Sequence, residues 1–308
     1  MTKSTGAAAV TSMEAVTSSE AVTLREAESS VPPECDGASV AAPEIVRLKA
    51  DLRGMWMSGD YDRFSRYMEP GAREFYERIE VASGCRLLDV ACGAGQLALI
   101  AAREGVDVTG VDVAPNLVER AAARARAEGL KARFREADAE DLPFEDGTFD
   151  VVVSLVGAMF APQPDRVAGE LLRVCAPGGT IAMANWTAEG FIGRMFRTLS
   201  GFIAPNGTPS PLLWGDETRV RERLGRGTAE LQLARRQYLF DYPFPPEDVV
   251  EFFARYYGPT HRAFETLDRV AGERLRRELV ALWSSANQAD GGLTMVQAEY
   301  LEVIAQRS

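Results

Sequence analysis

Short apolar runs that end on glycine or aspartate, separated by stretches of helical period, organise the middle of this chain. Leu87-Leu88-Asp89-Val90 and Val108-Thr109-Gly110-Val111 are too short for helices and apolar enough to be buried on both faces, as central parallel strands are. Strands are expected over 86–90, 106–111, 131–136, 149–154 and 179–185, with helices over 94–104, 115–128 and 164–175 between them. Pro115 and Pro164 fall where a first helical turn tolerates proline, and Gly105, Gly129 and Gly178 where helices stop. Strand alternating with helix predicts an α/β fold with a doubly wound, mostly parallel sheet.

On either side of this core the pattern changes. Residues 1–43 contain no Phe, Trp or Tyr and carry a short repeat, Thr11-Ser12-Met13-Glu14-Ala15-Val16 followed by Thr17-Ser18-Ser19-Glu20-Ala21-Val22. Such a segment buries too little apolar surface to offset its ordering entropy, so a disordered tail is expected. A targeting peptide is the alternative, but Lys3 and Arg25 stand against several glutamates. Residues 44–80 turn helical, with Leu48, Leu52, Met55 and Trp56, then Phe64, Tyr67 and Met68, then Phe75, Tyr76 and Ile79 in spaced groups. The core occupies 81–186. From 187 to 308 the alternation breaks into a helix over 189–203, a strand over 231–240, helices over 246–257 and 267–286, and a last strand over 297–305. The two late strands bring the expected sheet to seven. The stripe Phe191, Ile192, Met195, Phe196, Leu199, Phe202 and Ile203, flanked by Arg194 and Arg197, suits either packing on a sheet or contact with a lipid surface.

The chemistry gathers at the first strand end. Gly93-Ala94-Gly95 forms a turn without obstructing side chains at its glycines, and Asp112 follows Gly95 by 17 residues, close to the roughly 20 at which an acid meets ribose hydroxyls in nucleotide-binding βαβ units. Gly93-x-Gly95-x-x-Ala98 alone fits a nicotinamide dinucleotide as well as another adenosine ligand. Asp89 separates the two: its charge would repel a pyrophosphate and suit a cationic ligand.

The segment Asp89-Val90-Ala91-Cys92-Gly93-Ala94-Gly95 resembles the first motif of the S-adenosylmethionine (SAM) dependent methyltransferases with a seven-stranded Rossmann-like sheet. Further matches come in that family's order: Asp138-Ala139-Glu140-Asp141-Leu142-Pro143-Phe144, then Phe149-Asp150-Val151-Val152-Val153-Ser154, then Ala176-Pro177-Gly178-Gly179-Thr180-Ile181. The resemblance covers about residues 60–186 and is nearest to the small-molecule and ubiquinone-pathway branch. It implies SAM as cofactor, a helical N-terminal lid, and C-terminal helices roofing an acceptor pocket. Placed on matching positions, it implies Gly93, Ala94 and Gly95 along the methionine and ribose, Asp112 on the ribose hydroxyls, and Asp138 with Ala139 at the adenine. Ser154 and Val156 would lie beside the sulfur, Asp89 would orient the loop and the amino group, and Ala91, Gln96 and Val113 complete the set. Tyr61 is a candidate near the methionine carboxylate or the sulfonium, or a plain boundary tyrosine.

Composition narrows the partners. The formal charge of −11 makes attraction to nucleic acid unfavourable, and no apolar run approaches the roughly 20 residues of a membrane span, so a cytoplasmic protein acting on a small molecule is expected. Cys35, Cys85, Cys92 and Cys175 lack metal-ligand spacing, and neither metal nor disulfide is expected. Cys92 reads as a small residue filling the turn. His261 is the single histidine; imidazoles titrate near neutrality, so it is the candidate base for a phenol or carboxylate acceptor, or else a capping or surface residue. The acceptor and its reacting atom are left open, as is the oligomeric state. Two rival readings stand beside methyl transfer to a small apolar acceptor: a non-catalytic SAM-binding protein, and a nicotinamide-dependent oxidoreductase.

Overall fold

The computed structural model describes residues 42–204 and 207–308, so the expected tail lies outside the described residues apart from its last two positions. Three helices open the described chain: α1 (Ala42–Met57), α2 (Tyr61–Ser65) and α3 (Glu69–Arg78). The winding core follows as β1 (Arg86–Val90), α4 (Gln96–Arg103), β2 (Asp107–Asp112), α5 (Pro115–Ala127), β3 (Ala132–Glu136), β4 (Phe149–Leu155), α6 (Pro164–Val174) and β5 (Cys175–Trp186). The remainder runs α7 (Phe191–Ser200), α8 (Glu217–Leu224), β6 (Thr228–Tyr242), α9 (Pro246–Tyr256), α10 (Gly258–Thr266), α11 (Arg269–Ala286) and β7 (Thr294–Arg307).

All seven strands join one sheet in the order β3-β2-β1-β4-β5-β7-β6, parallel from β3 to β5 and antiparallel where β7 enters between β5 and β6. Because the chain leaves β1 toward β2 on one side and returns to β4 on the other, a crevice opens beyond the carboxyl ends of β1 and β4. Ligands of open α/β sheets bind at such a switch point. Leu87, Leu88, Val152, Val153, Ile181 and Met183 are fully buried, which fixes the strand register and therefore where each strand ends at the crevice.

Some expectations shift for local reasons. β5 begins at Cys175 rather than 179, because Cys175 pairs with Phe149 ahead of a bulge. β6 begins at Thr228 rather than 231, and with an unbroken register from Glu230 to Tyr242 it carries Leu231 and Leu233 on one face and Tyr238 and Phe240 on the other. Helices α8 and α10 occupy stretches that the apolar pattern left without an element. The α7 stripe is consumed inside the protein, Phe191, Ile192, Met195 and Leu199 being at most 5% exposed, with Phe191 edge-on to Trp283 of α11. That packing accounts for these four positions of the stripe; Ile203 at its far end is 36% exposed. Among the described residues no helix is long and apolar enough to cross a membrane.

Candidate active site

A cleft enclosing about 980 Å³, counted out to open solvent, occupies the crevice. The strand ends form its floor: Asp89, Ala91, Gly93 and Gln96 after β1, Asp112 and Val113 after β2, Asp138 and Ala139 after β3, and Leu155 to Gly157 after β4. Lys49, Leu52 and Trp56, spaced i, i+3 and i+7 on α1, cover it together with Tyr61 of α2.

The backbone is bent to open this space. Gly93 (φ 54°) and Gly95 (φ 83°) are left-handed, and a Cβ on Gly93 would stand 3.1 Å from Tyr61 Cε1. Ala91 (φ 58°) and Val156 (φ 46°) adopt the same region without being glycine, which is costly for alanine and more so for a β-branched residue. Both line the cavity, so strain is concentrated at the ends of the two strands that flank the switch point.

Two carboxylates hold the floor together. Asp112 Oδ2 accepts from Gly93 N at 2.8 Å and its Oδ1 from Ala114 N at 2.9 Å. Asp89 Oδ2 accepts from Ala98 N at 3.1 Å, binding the strand end to the first turns of α4. Burial pushes Asp89 up to about 7, with the Asp112 charge adding and the Ala98 hydrogen bond opposing. Asp112 is likewise raised by burial, against the pull of its backbone donors. Carboxylates raised in this way are poised to gain from an arriving cation.

The remaining candidates divide clearly. Ala94 and Gly95 shape the turn without lining the cavity; Gly95 caps α4 in left-handed conformation, and the Ala94 carbonyl accepts from Arg124 at 3.1 Å. Ser154 is also off the wall: its hydroxyl donates to Val90 O at 2.8 Å and accepts from Ala158 N at 2.9 Å, so it braces the strand ends while Leu155 and Val156 face the cavity. Cys92 lines the cavity, but burial holds its thiol well above the ordinary cysteine value and therefore protonated, as a space-filling role requires. His261 sits on α10, with Nδ1 2.8 Å from Ala254 O and Nε2 3.4 Å from Glu265, and it lines neither this cavity nor its neighbour. The geometry favours the capping role over the base.

Sequence reasoning missed Lys49, Trp56, Met68 and Phe160 on the wall. Lys49 Nζ lies 2.6 Å from Asp138 Oδ2 and 2.5 Å from Glu140 Oε2. Burial pulls its pKa down, but the hydrogen bonds and charges of the two acids outweigh that and hold the ammonium above the ordinary lysine value. A second, smaller cavity of about 290 Å³ shares Trp56, Tyr61, Met68 and Val156 with the first and extends into Phe64, Trp186, Ile192, Phe240, Phe253 and Tyr257.

A sheet of this order, with a glycine turn after β1 and an acid closing β2, defines a Rossmann-like nucleotide-binding enzyme fold. Residues 88–183 match a family model described as a methyltransferase domain. An uncharacterised protein of Mycobacterium tuberculosis is 37% identical over 86% of this chain and 97% of its own length. The demethylmenaquinone methyltransferase of Thermus thermophilus is 36% identical over 47% of this chain and 70% of its own length. Among solved structures, the YcgJ protein of Bacillus subtilis aligns over 77% of this chain and 97% of its own with a TM-score of 0.53 at 17% identity, a likeness of fold. The chain belongs to the class I SAM-dependent methyltransferases. It is an enzyme of that class and its cofactor is SAM, so the nicotinamide-dependent and non-catalytic readings fall away.

The residues present fit that cofactor. The floor combines a glycine cradle closed by Tyr61, two buried carboxylates with unused acceptor sites, and apolar walls.

Proposed function

We propose that this enzyme transfers the SAM methyl group to a small, predominantly apolar organic acceptor, held in the aromatic chamber beside the cofactor cavity. The observation that carries this reading is the shared wall: Trp56, Tyr61, Met68 and Val156 belong to both cavities, so a ligand in each would meet across them. In this reading Asp112 holds the ribose hydroxyls, with acceptor capacity left beyond its backbone bonds from Gly93, Ala114 and Val113. Asp89 faces the positive end of the cofactor. Gly93, Gln96, Ala91 and Val113 bound the floor, Asp138 and Ala139 bound the adenine end, and Val156 with Tyr61 stands where the two ligands meet.

Bound SAM supplies an electrophilic methyl group on a sulfonium. The chain's own contribution is placement and exclusion of water: α1 and α2 close one side, Phe160 packs edge-on against Trp56 at 5.1 Å, and the acceptor side is walled by rings. The apolar, largely aromatic walls favour a hydrophobic molecule.

The test is calorimetry of the purified protein with SAM and with S-adenosylhomocysteine (SAH), NADH as control, and Asp112→Ala beside the wild type. Micromolar binding of both, lost in the variant, supports the assignment; no binding of SAH to the intact protein overturns it. Ile192→Trp, which fills the chamber, should then abolish methyl transfer from labelled SAM into an apolar acceptor pool.

A further inference from the structure

We propose that the acceptor is a ring-bearing molecule methylated at an uncharged nitrogen, an aromatic N-heterocycle or aryl amine, because the chamber is built to accept developing positive charge and to refuse negative charge. This rests on the reading of the chamber given above and goes one step further, to the chemistry of the reacting atom.

Seven of the ten side chains lining the chamber are aromatic and none bears a formal charge. Trp56 stands edge-on to Tyr61 at 5.5 Å and to Tyr257 at 5.8 Å, while Phe64 lies tilted 4.8 Å from Tyr257, and Trp56 and Tyr61 also line the cofactor cavity, so aromatic side chains make the junction of the two spaces. Aromatic faces are the negative end of a quadrupole: they attract cations and repel anions. The adjoining cavity adds Asp89, Asp112 and Asp138, against which the one lining cation, Lys49, is already paired with Asp138 and Glu140. A positive charge developing at the junction therefore meets carboxylates on one side and polarisable rings on the other.

That field discriminates between nucleophiles. At an uncharged nitrogen, the lone pair forms the new N–C bond, the C–S electron pair stays on sulfur, and the formal charge passes from sulfur to nitrogen. The number of charges in the site is unchanged, and a heterocycle without N–H has no proton to lose. A phenol must give up a proton, and the chamber's only lining hydroxyls, Tyr61 and Tyr257, are held protonated by burial, so neither is a base. A phenolate or carboxylate would be buried among uncharged side chains and beside the aspartates, with the cofactor's sulfonium as its one counter-charge.

The experiment uses four bicyclic probes, titrated into the SAH-loaded protein: quinoline, N-methylquinolinium, 1-naphthol and 1-naphthoate. N-methylquinolinium, carrying the product charge, is expected to bind about tenfold or more tighter than 1-naphthoate, a difference of about 1.4 kcal/mol. Ile192→Trp should remove that binding. With labelled SAM, label should enter quinoline, and across substituted quinolines the pH midpoint of kcat/KM should follow the basicity of each probe. Equal or tighter binding of 1-naphthoate, faster labelling of 1-naphthol, a pH midpoint independent of the probe, or binding of no probe at all overturns the inference. Failure of SAH itself to bind strikes instead at the cofactor assignment, so the two are told apart.

Discussion

Lys49 Nζ lies 2.6 Å from Asp138 Oδ2, tying the first described helix to the acid that follows β3 at the edge of the cofactor cavity. The same ammonium reaches Glu140, whose side chain is fully buried and also accepts from the Gln163 backbone and side-chain nitrogens. One turn along α1, Arg53 repeats the arrangement, donating to Val113 O at 3.2 Å and pairing with Glu136 at 2.7 Å. The helix that carries Leu52 and Trp56 over the cavity is thus seated by charge as well as by apolar contact.

Lys49→Met should therefore destabilise the protein by about 1–3 kcal/mol, the usual cost of leaving a buried charged acceptor short of a donor. It should also weaken SAH binding, because α1 loses its hold on the cavity edge. Thermal unfolding and calorimetry read the two effects, and hydrogen exchange should rise over residues 42–57. Lys49→Arg should recover most of both. An unchanged exchange pattern in the methionine variant would mean that apolar packing alone seats the helix.

Asp89 sets a pH dependence whose sign can be worked out. Its pKa is raised from 3.8 to about 7, mainly by burial. The folded state is then unpenalised below 3.8, pays progressively between 3.8 and 7, and carries the full penalty above 7. Asp89→Asn should accordingly raise the melting temperature of the ligand-free protein more at pH 8 than at pH 5. Binding of a cationic ligand should show the reverse face of the same linkage: affinity for SAM rises as pH passes from 6 to 8, by up to about tenfold per unit below the midpoint, and flattens in the asparagine variant. A pH-independent affinity for SAM in the wild type would remove Asp89 from the positive end of the ligand.

Much of this site is written locally and could be read from the chain. The strand, glycine turn and acid from Leu87 to Asp112 form within one βαβ unit, and nine of the proposed cofactor residues together with Tyr61 line one cavity. Ser154 stands behind the wall for a geometric reason: Val156 turns left-handed just beyond the end of β4, and Leu155 and Val156, rather than the buried Ser154, line the cavity. Lys49, Trp56 and Phe160 were not legible because their roles depend on how α1 and the turn after β4 approach the sheet, a long-range matter. An i, i+3, i+7 spacing of Lys49, Leu52 and Trp56 was present in the sequence, but a lysine in that stripe reads as a boundary residue until its two acids are located. His261, open in sequence to a base or a capping role, stands away from both cavities because Gly258-Pro259 starts helix α10 directly after α9 and places the ring on Ala254 O.

Ala91 offers a test of the strained floor. In the left-handed region an alanine costs roughly 1–2 kcal/mol that glycine does not. Ala91→Gly should therefore raise the melting temperature by a few degrees while loosening the turn that Gly93 and Gly95 complete. If the strain serves to hold the cavity open, SAH affinity falls even as stability rises. Stability and affinity rising together would mean that the strain is incidental to binding.

Arg124 makes the last prediction, since it joins the glycine turn to the N-terminal helices from a position that touches neither cavity. Its guanidinium donates to Ala94 O at 3.1 Å and stands 3.8 Å from Asp62 Oδ1 and 3.7 Å from Glu69 Oε2. Asp62 directly follows Tyr61 on α2, and Tyr61 is the residue whose ring rests over Gly93. Arg124 thus fixes both partners of that contact, the turn through a carbonyl and the tyrosine through its neighbour. Arg124→Met should weaken SAH binding about tenfold with a modest loss of stability, about 1 kcal/mol for two partly exposed ion pairs and one hydrogen bond. The decisive measurement is a double-mutant cycle with Tyr61→Ala. If Arg124 acts by placing Tyr61, its loss in the alanine background should cost little further affinity; additive losses would show that Arg124 supports the glycine turn alone.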